Sequence, residues 1–153
     1  MKRLAAVLVA ALTMTSCGGS DPTPSSPAVP LDTGFAKIWN GVPTVACTGF
    51  ATVTYPTTPV EITVSGNSLT SRLMCSVGDG ISVTATGSGS TATWAGSLSC
   101  PPDVQAGCPS GLVFTHNSRT YTLNANGTLT VSGTGTLSCS GATTDCTTGF
   151  SGN

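Results

Sequence analysis

Residues 128–139 read Thr-Leu-Thr-Val-Ser-Gly-Thr-Gly-Thr-Leu-Ser-Cys. Leu129, Val131, Leu137 and Cys139 fall on one parity. Thr128, Thr130, Ser132, Thr134, Thr136 and Ser138 fall on the other. A β-strand turns successive side chains to opposite faces, so this period of two marks a strand with one apolar and one hydroxyl-bearing face.

The pattern repeats outward from this stretch. Val60, Ile62 and Val64 alternate with Glu61, Thr63 and Ser65. Leu69, Ser71, Leu73, Cys75 and Val77 alternate with Ser68, Thr70, Arg72 and Ser76. Ile81, Val83 and Ala85 share a parity, as do Ala92, Trp94, Gly96, Leu98 and Cys100. In 45–55 so do Val45, Cys47, Ala51, Val53 and Tyr55. Gly66-Asn67, Gly78-Asp79-Gly80, Gly87-Ser88-Gly89-Ser90 and Asn126-Gly127 separate these runs with turn chemistry, which argues for antiparallel hairpins in sequence order. Residues 112–117 and 119–125 read as a further pair, placing His116 at a hairpin tip. No window shows helical periodicity. The expected fold is all-β: about eight antiparallel strands in a small up-and-down barrel or a two-sheet sandwich.

The composition follows from this pattern. Charged residues make up 7% of the chain, against roughly 25% in ordinary globular domains. The chain has 27 Thr and 19 Ser, and these occupy the outward positions that Lys and Glu usually fill. Thr is β-branched and fits a pleated surface. Five Lys+Arg against six Asp+Glu give a net charge of -1, with no basic run to meet a phosphate backbone. No nucleic-acid partner and no cofactor are expected.

Seven cysteines suit an oxidising compartment. Cys47, Cys75, Cys100 and Cys139 lie on the apolar parity of their strands, while Cys108 and Cys146 fall in segments read as irregular. Spacing assigns Cys100–Cys108 across one loop and Cys139–Cys146 across another, leaving Cys47–Cys75. This is one of 15 connectivities open to six cysteines. There is no CxxC, and the one His cannot complete a zinc site at standard spacing.

The N-terminus is of a different kind. Met1-Lys2-Arg3 is basic, and Leu4 to Leu12 is an apolar run too short to span a bilayer. Thr15-Ser16-Cys17, followed by Gly18-Gly19, resembles the lipobox of bacterial lipoproteins, with Met14 where that family usually has Leu. The resemblance implies that residues 1–16 are removed as a signal peptide. It also implies that Cys17 becomes a lipidated, palmitate-type membrane anchor. Gly18 stands where that family's inner-membrane retention signal has Asp, which implies an outer-membrane destination. Residues 17–33 then form the lipidated Cys and a Pro/Ser-rich linker, and residues 34–153 a single β domain. Setting Cys17 aside leaves an even six for bridges.

Few residues are suited to catalysis. His116, in Phe114-Thr115-His116-Asn117-Ser118-Arg119, shares parity with Leu112 and Phe114. No Gly-x-Ser-x-Gly elbow accompanies it, and no catalytic residue is assigned. Asp79 belongs to turn chemistry, Asp103 and Asp145 to the cysteine loops, and the triplet Asn126-Gly127-Thr128 to a turn. Trp94 and Tyr55 read as core, and Trp39 as a plug for one end. The expected function is a non-enzymatic binding or structural domain facing an unknown small molecule or envelope protein. About eight strands with Trp39 near the first also resemble a lipocalin-type barrel, although Lys37 stands where that family's Gly-x-Trp motif has Gly. That resemblance implies a small-ligand carrier lined by Trp94, His116 and Tyr121. An envelope hydrolase or an inhibitor of one is the remaining alternative. A cavity of about 300 Å³ or more would mark the carrier; a filled interior would eliminate it.

Overall fold

A computed structural model describes residues 29–153 apart from 77, 79, 106 and 107. The expected signal peptide, Cys17, most of the linker and Asp79 lie outside the described residues. The chain forms ten antiparallel strands: β1 (Ile38–Cys47), β2 (Val53–Thr54), β3 (Thr58–Ser65), β4 (Ser68–Leu73), β5 (Ile81–Ser88), β6 (Thr91–Ser99), β7 (Asp103–Gln105), β8 (Cys108–Leu123), β9 (Leu129–Cys139) and β10 (Ala142–Gly152). Each long strand pairs with the next, and β10 returns to pair with β1. Eight staves therefore close an up-and-down barrel. The short β2 and β7 are side pieces on β1 and β8. The β5–β6 ladder is the shortest between staves, three residue pairs from Thr86–Thr93 to Ser88–Thr91, so these two strands part beyond their hairpin end.

The inward parity follows the alternation read from sequence. In β3, Val60, Ile62 and Val64 point in; in β4, Leu69, Ser71 and Leu73 do; in β5, Val83 and Ala85 do. The bulky interior is concentrated at one end. Leu31, Phe35, Trp39, Ile62, Leu69, Tyr121, Leu129 and Phe150 form a continuous cluster there. Residues 29–33, the end of the expected linker, pack on this end. Leu31 N donates to Gly66 O at 3.1 Å, Asp32 N to Gly89 O at 2.7 Å, and Asn67 Nδ2 to Val29 O at 3.0 Å. A 3-10 turn at Thr33–Phe35, capped by Asp32, then drops Phe35 into the barrel. Burying such a ring contributes about 2–3 kcal/mol. Trp39 plugs this end as expected, its Nε1 donating to Phe35 O at 2.9 Å with Lys37 Nζ 3.8 Å above its ring.

The opposite end carries the disulfides, and all three expected pairings are corrected: the bonds are Cys47–Cys146, Cys75–Cys100 and Cys108–Cys139. Spacing along the chain favours short loops, whereas barrel closure sets the first and last staves side by side, so Cys47 meets Cys146, 99 residues away. Neither Cys108 nor Cys146 lies in an irregular segment. Each sits within a strand, the first in β8 and the second in β10.

Residues 112–117 and 119–125 are not two strands around a turn. They belong to the single sixteen-residue β8 and the short connection after it. His116 pairs with Gly135 and Ser118 with Thr134, so Asn117 is an extra residue, a β-bulge. His116 therefore lies within a long stave and not at a hairpin tip. Tyr55 is also corrected: it follows β2 and is exposed.

Candidate ligand-binding cavity

Beyond the plug, the inward positions become small or polar. β9 offers Gly133 and Gly135 between Val131 and Leu137, and β10 offers Thr148 between Phe150 and Cys146. The interior there holds a cavity of about 1030 Å³ open toward the disulfide-bonded end. Its apolar wall includes Val45, Leu112, Phe114, Val131, Leu137 and Phe150. Phe50, Val53 and Tyr55, carried by the excursion after β1, line its mouth and remain exposed. Cys47, Cys75, Cys100, Cys108 and Cys139 also line it, so the bridges brace the open end.

The bulge at Asn117 decides which polar groups reach this space. In a regular strand, residues 116 and 119 would face opposite sides. The extra residue turns His116 inward together with Arg119 and Tyr121. His116 is 2% exposed, and its ring meets Phe114 edge-on at 4.8 Å. Its Nε2 lies 3.2 Å from Met74 O. A carbonyl only accepts, so Nε2 carries the proton and Nδ1 is left as a bare acceptor with no partner. Burial lowers the imidazole's pKa to about 4, helped by the Arg119 charge and opposed by the Met74 bond. His116 is neutral at physiological pH.

Arg119 is half-buried and lines the cavity. Burial lowers its pKa as well, but a guanidinium stays charged in proteins. Its Nε has no hydrogen-bond partner, and among the described residues no carboxylate pairs with it. Thr148 is buried with an unpartnered Oγ1. The two residues flank Gly133: a Cβ added there would stand 2.9 Å from Thr148 Oγ1 and 3.3 Å from Arg119 Cγ. Tyr121, one position deeper, is satisfied by Ser71 on β4, with 2.6 Å between the hydroxyls. Burial raises the Tyr121 pKa, and the Ser71 bond and Arg119 charge oppose that shift.

Of the three residues expected to line a cavity, His116 and Tyr121 do so. Trp94 does not. It packs against the plug cluster and lies along its own strand over Gly96, whose added Cβ would meet the indole at 2.8 Å. Ser71, Arg119, Gly133 and Thr148 were not among the expected residues. The signal for Ser71 is a polar residue on the inward parity of Leu69 and Leu73. No protein-family model, curated protein or solved structure matches this chain.

Proposed function

We propose that this chain is a membrane-anchored envelope lipoprotein whose barrel is a non-enzymatic carrier for a small apolar molecule. The observation that carries the reading is the cavity of about 1030 Å³. Ligand pockets for small molecules run to roughly 300–1,000 Å³ and combine apolar walls with a few placed polar groups. The cavity has both. Its exposed aromatic mouth gives an apolar molecule a first contact, and the three bridges hold that mouth in shape.

The anchor rests on the lipobox-like Thr15-Ser16-Cys17. The described chain begins at the plugged end, with Val29 bonded to Asn67, so the mouth opens away from the side where the linker joins. A carrier tethered in this way would present its opening to the periplasm or the partner that loads it. The non-enzymatic reading is supported by the scarcity of acid–base side chains, one His and six carboxylates in the whole chain.

The test is titration of the full chain, disulfides formed, with N-phenyl-1-naphthylamine, a neutral dye that fluoresces in apolar surroundings. Saturable enhancement at one site per chain, abolished in Leu137→Trp, is expected, because an indole from Leu137 projects into the cavity. A wild-type protein that gives no saturable enhancement would overturn the carrier reading. Palmitate labelling lost in Cys17→Ser would support the anchor; label retained in that variant would refute it.

A further inference from the structure

We propose that the recess at Arg119 and Thr148 receives the carboxylate head of an apolar monocarboxylate whose tail fills the cavity. This rests on the carrier reading and specifies the ligand class.

Three observations converge. First, Arg119 is one of the few cations among the described residues, and it is turned into the barrel without a counter-charge. An unpaired charge removed from water is costly, so an apolar residue at this position would be the cheaper choice if the protein worked empty. A ligand anion supplies the missing partner, and a planar guanidinium suits a carboxylate's two oxygens. Second, Thr148 lines the cavity from β10, and its Oγ1 lacks a partner and can donate to a carboxylate oxygen. Third, Gly133 lets the β8, β9 and β10 staves bring Arg119 and Thr148 close on one wall. Glycine within a strand weakens it, and here it stands where a side chain would press on both groups.

The surroundings narrow the choice further. No second cation accompanies Arg119 at this depth at neutral pH, since His116 is uncharged there; the other cation lining the cavity, Arg72, is exposed. One cation matches a monoanion, not a doubly charged phosphate. Phe114, Leu137 and Val131 around it accept hydrocarbon. His116, neutral with a bare Nδ1 near Arg119, adds a proton acceptor that the arriving carboxylate makes more basic. Binding should therefore draw a proton from solution at mildly acidic pH.

The experiment is displacement of N-phenyl-1-naphthylamine by dodecanoate and by 1-dodecanol, equal in tail and different in head, at pH 7.5. Dodecanoate is expected to displace the dye at a concentration at least tenfold lower than dodecanol. In Arg119→Met, which keeps an apolar stem of similar length, the ratio of dodecanoate to dodecanol potency should fall to about one. Thr148→Val should lose part of the same advantage. Equal potency of the two probes on the wild-type protein overturns the proposal, and so does an undiminished advantage in a folded Arg119→Met. Dye binding in either case leaves the carrier reading standing. Absence of dye binding defeats the carrier reading itself, and the ligand class with it.

Discussion

Cys47 and Cys146 stand directly opposite each other across the seam that closes the barrel, with Cα atoms 4.0 Å apart and 99 residues between them in sequence. Seven consecutive residue pairs, from Gly41–Gly152 to Cys47–Cys146, make that seam. Its plugged end is held by Trp39, Phe150 and the mutual backbone bonds of Asn40 and Asn153. Its open end faces the cavity, and the covalent bond lies there.

Removing that bond should be costly. A cross-link closing about 100 residues restricts the unfolded chain by roughly 4–5 kcal/mol in the loop-entropy account. The double variant Cys47→Ala/Cys146→Ala should therefore lose about 4 kcal/mol in urea unfolding under oxidising conditions. It should also lose dye binding before global unfolding, because the seam frays from the mouth inward. A loss below about 1 kcal/mol would mean that the ladder alone holds the seam.

His116 gives the fold a pH dependence whose sign is fixed by its burial. Its pKa is about 4 in the folded chain against an ordinary 6.5, so between those values the unfolded chain holds the extra proton. The contribution is complete above pH 6.5 and is lost as pH falls toward 4. From pH 7.5 to pH 5 the loss should be about 2 kcal/mol. His116→Gln should flatten the slope across this window, most of which lies above the usual carboxylate range. An unchanged slope in that variant would remove His116 as its source.

The strands were legible in the sequence because Thr and Ser on one parity and aliphatic side chains on the other leave little ambiguity of period. What the alternation could not distinguish was a turn from a bulge. Leu112, Phe114 and His116 share one parity, Arg119 and Tyr121 the other, and either device accounts for the switch. The bulge at Asn117 keeps the stave continuous, and that continuity gathers the polar groups of the cavity on one wall. The disulfide pairing escapes the sequence for a related reason. Contour distance is local information, whereas Cys47 meets Cys146 only because eight staves complete a circle. The glycines Gly133 and Gly135 that interrupt the inward parity of β9 mark close packing against Ser118, Thr148 and Phe114, and the cavity itself leaves no such trace.

Gly133 should not tolerate even a methyl group. A Cβ there would press on the backbone oxygen of Ser118 across the β8–β9 ladder as well as on Thr148 Oγ1. Backbone in a paired strand cannot step aside as a flexible side chain can. Gly133→Ala should cost about 1–3 kcal/mol and should weaken dodecanoate more than dodecanol, because the methyl intrudes beside Arg119. Wild-type stability and an unchanged preference for dodecanoate would show that the ladder yields at this point.

Thr148 sets stability against binding, and the two can be measured on one variant. Its Oγ1 is buried without a partner, and an unsatisfied buried hydroxyl carries a penalty of roughly 1–3 kcal/mol. Thr148→Val has nearly the same shape and removes the group that is penalised. The ligand-free variant should therefore be more stable than the wild type by about 1 kcal/mol. With dodecanoate present the order should narrow or reverse, since the ligand gives the hydroxyl its partner and stabilises the wild-type barrel by mass action. Thermal melts of both proteins with and without dodecanoate read the two effects together. A Thr148→Val chain that is less stable when empty would mean that the hydroxyl contributes to the fold itself, and that its place beside Arg119 is no sign of a ligand.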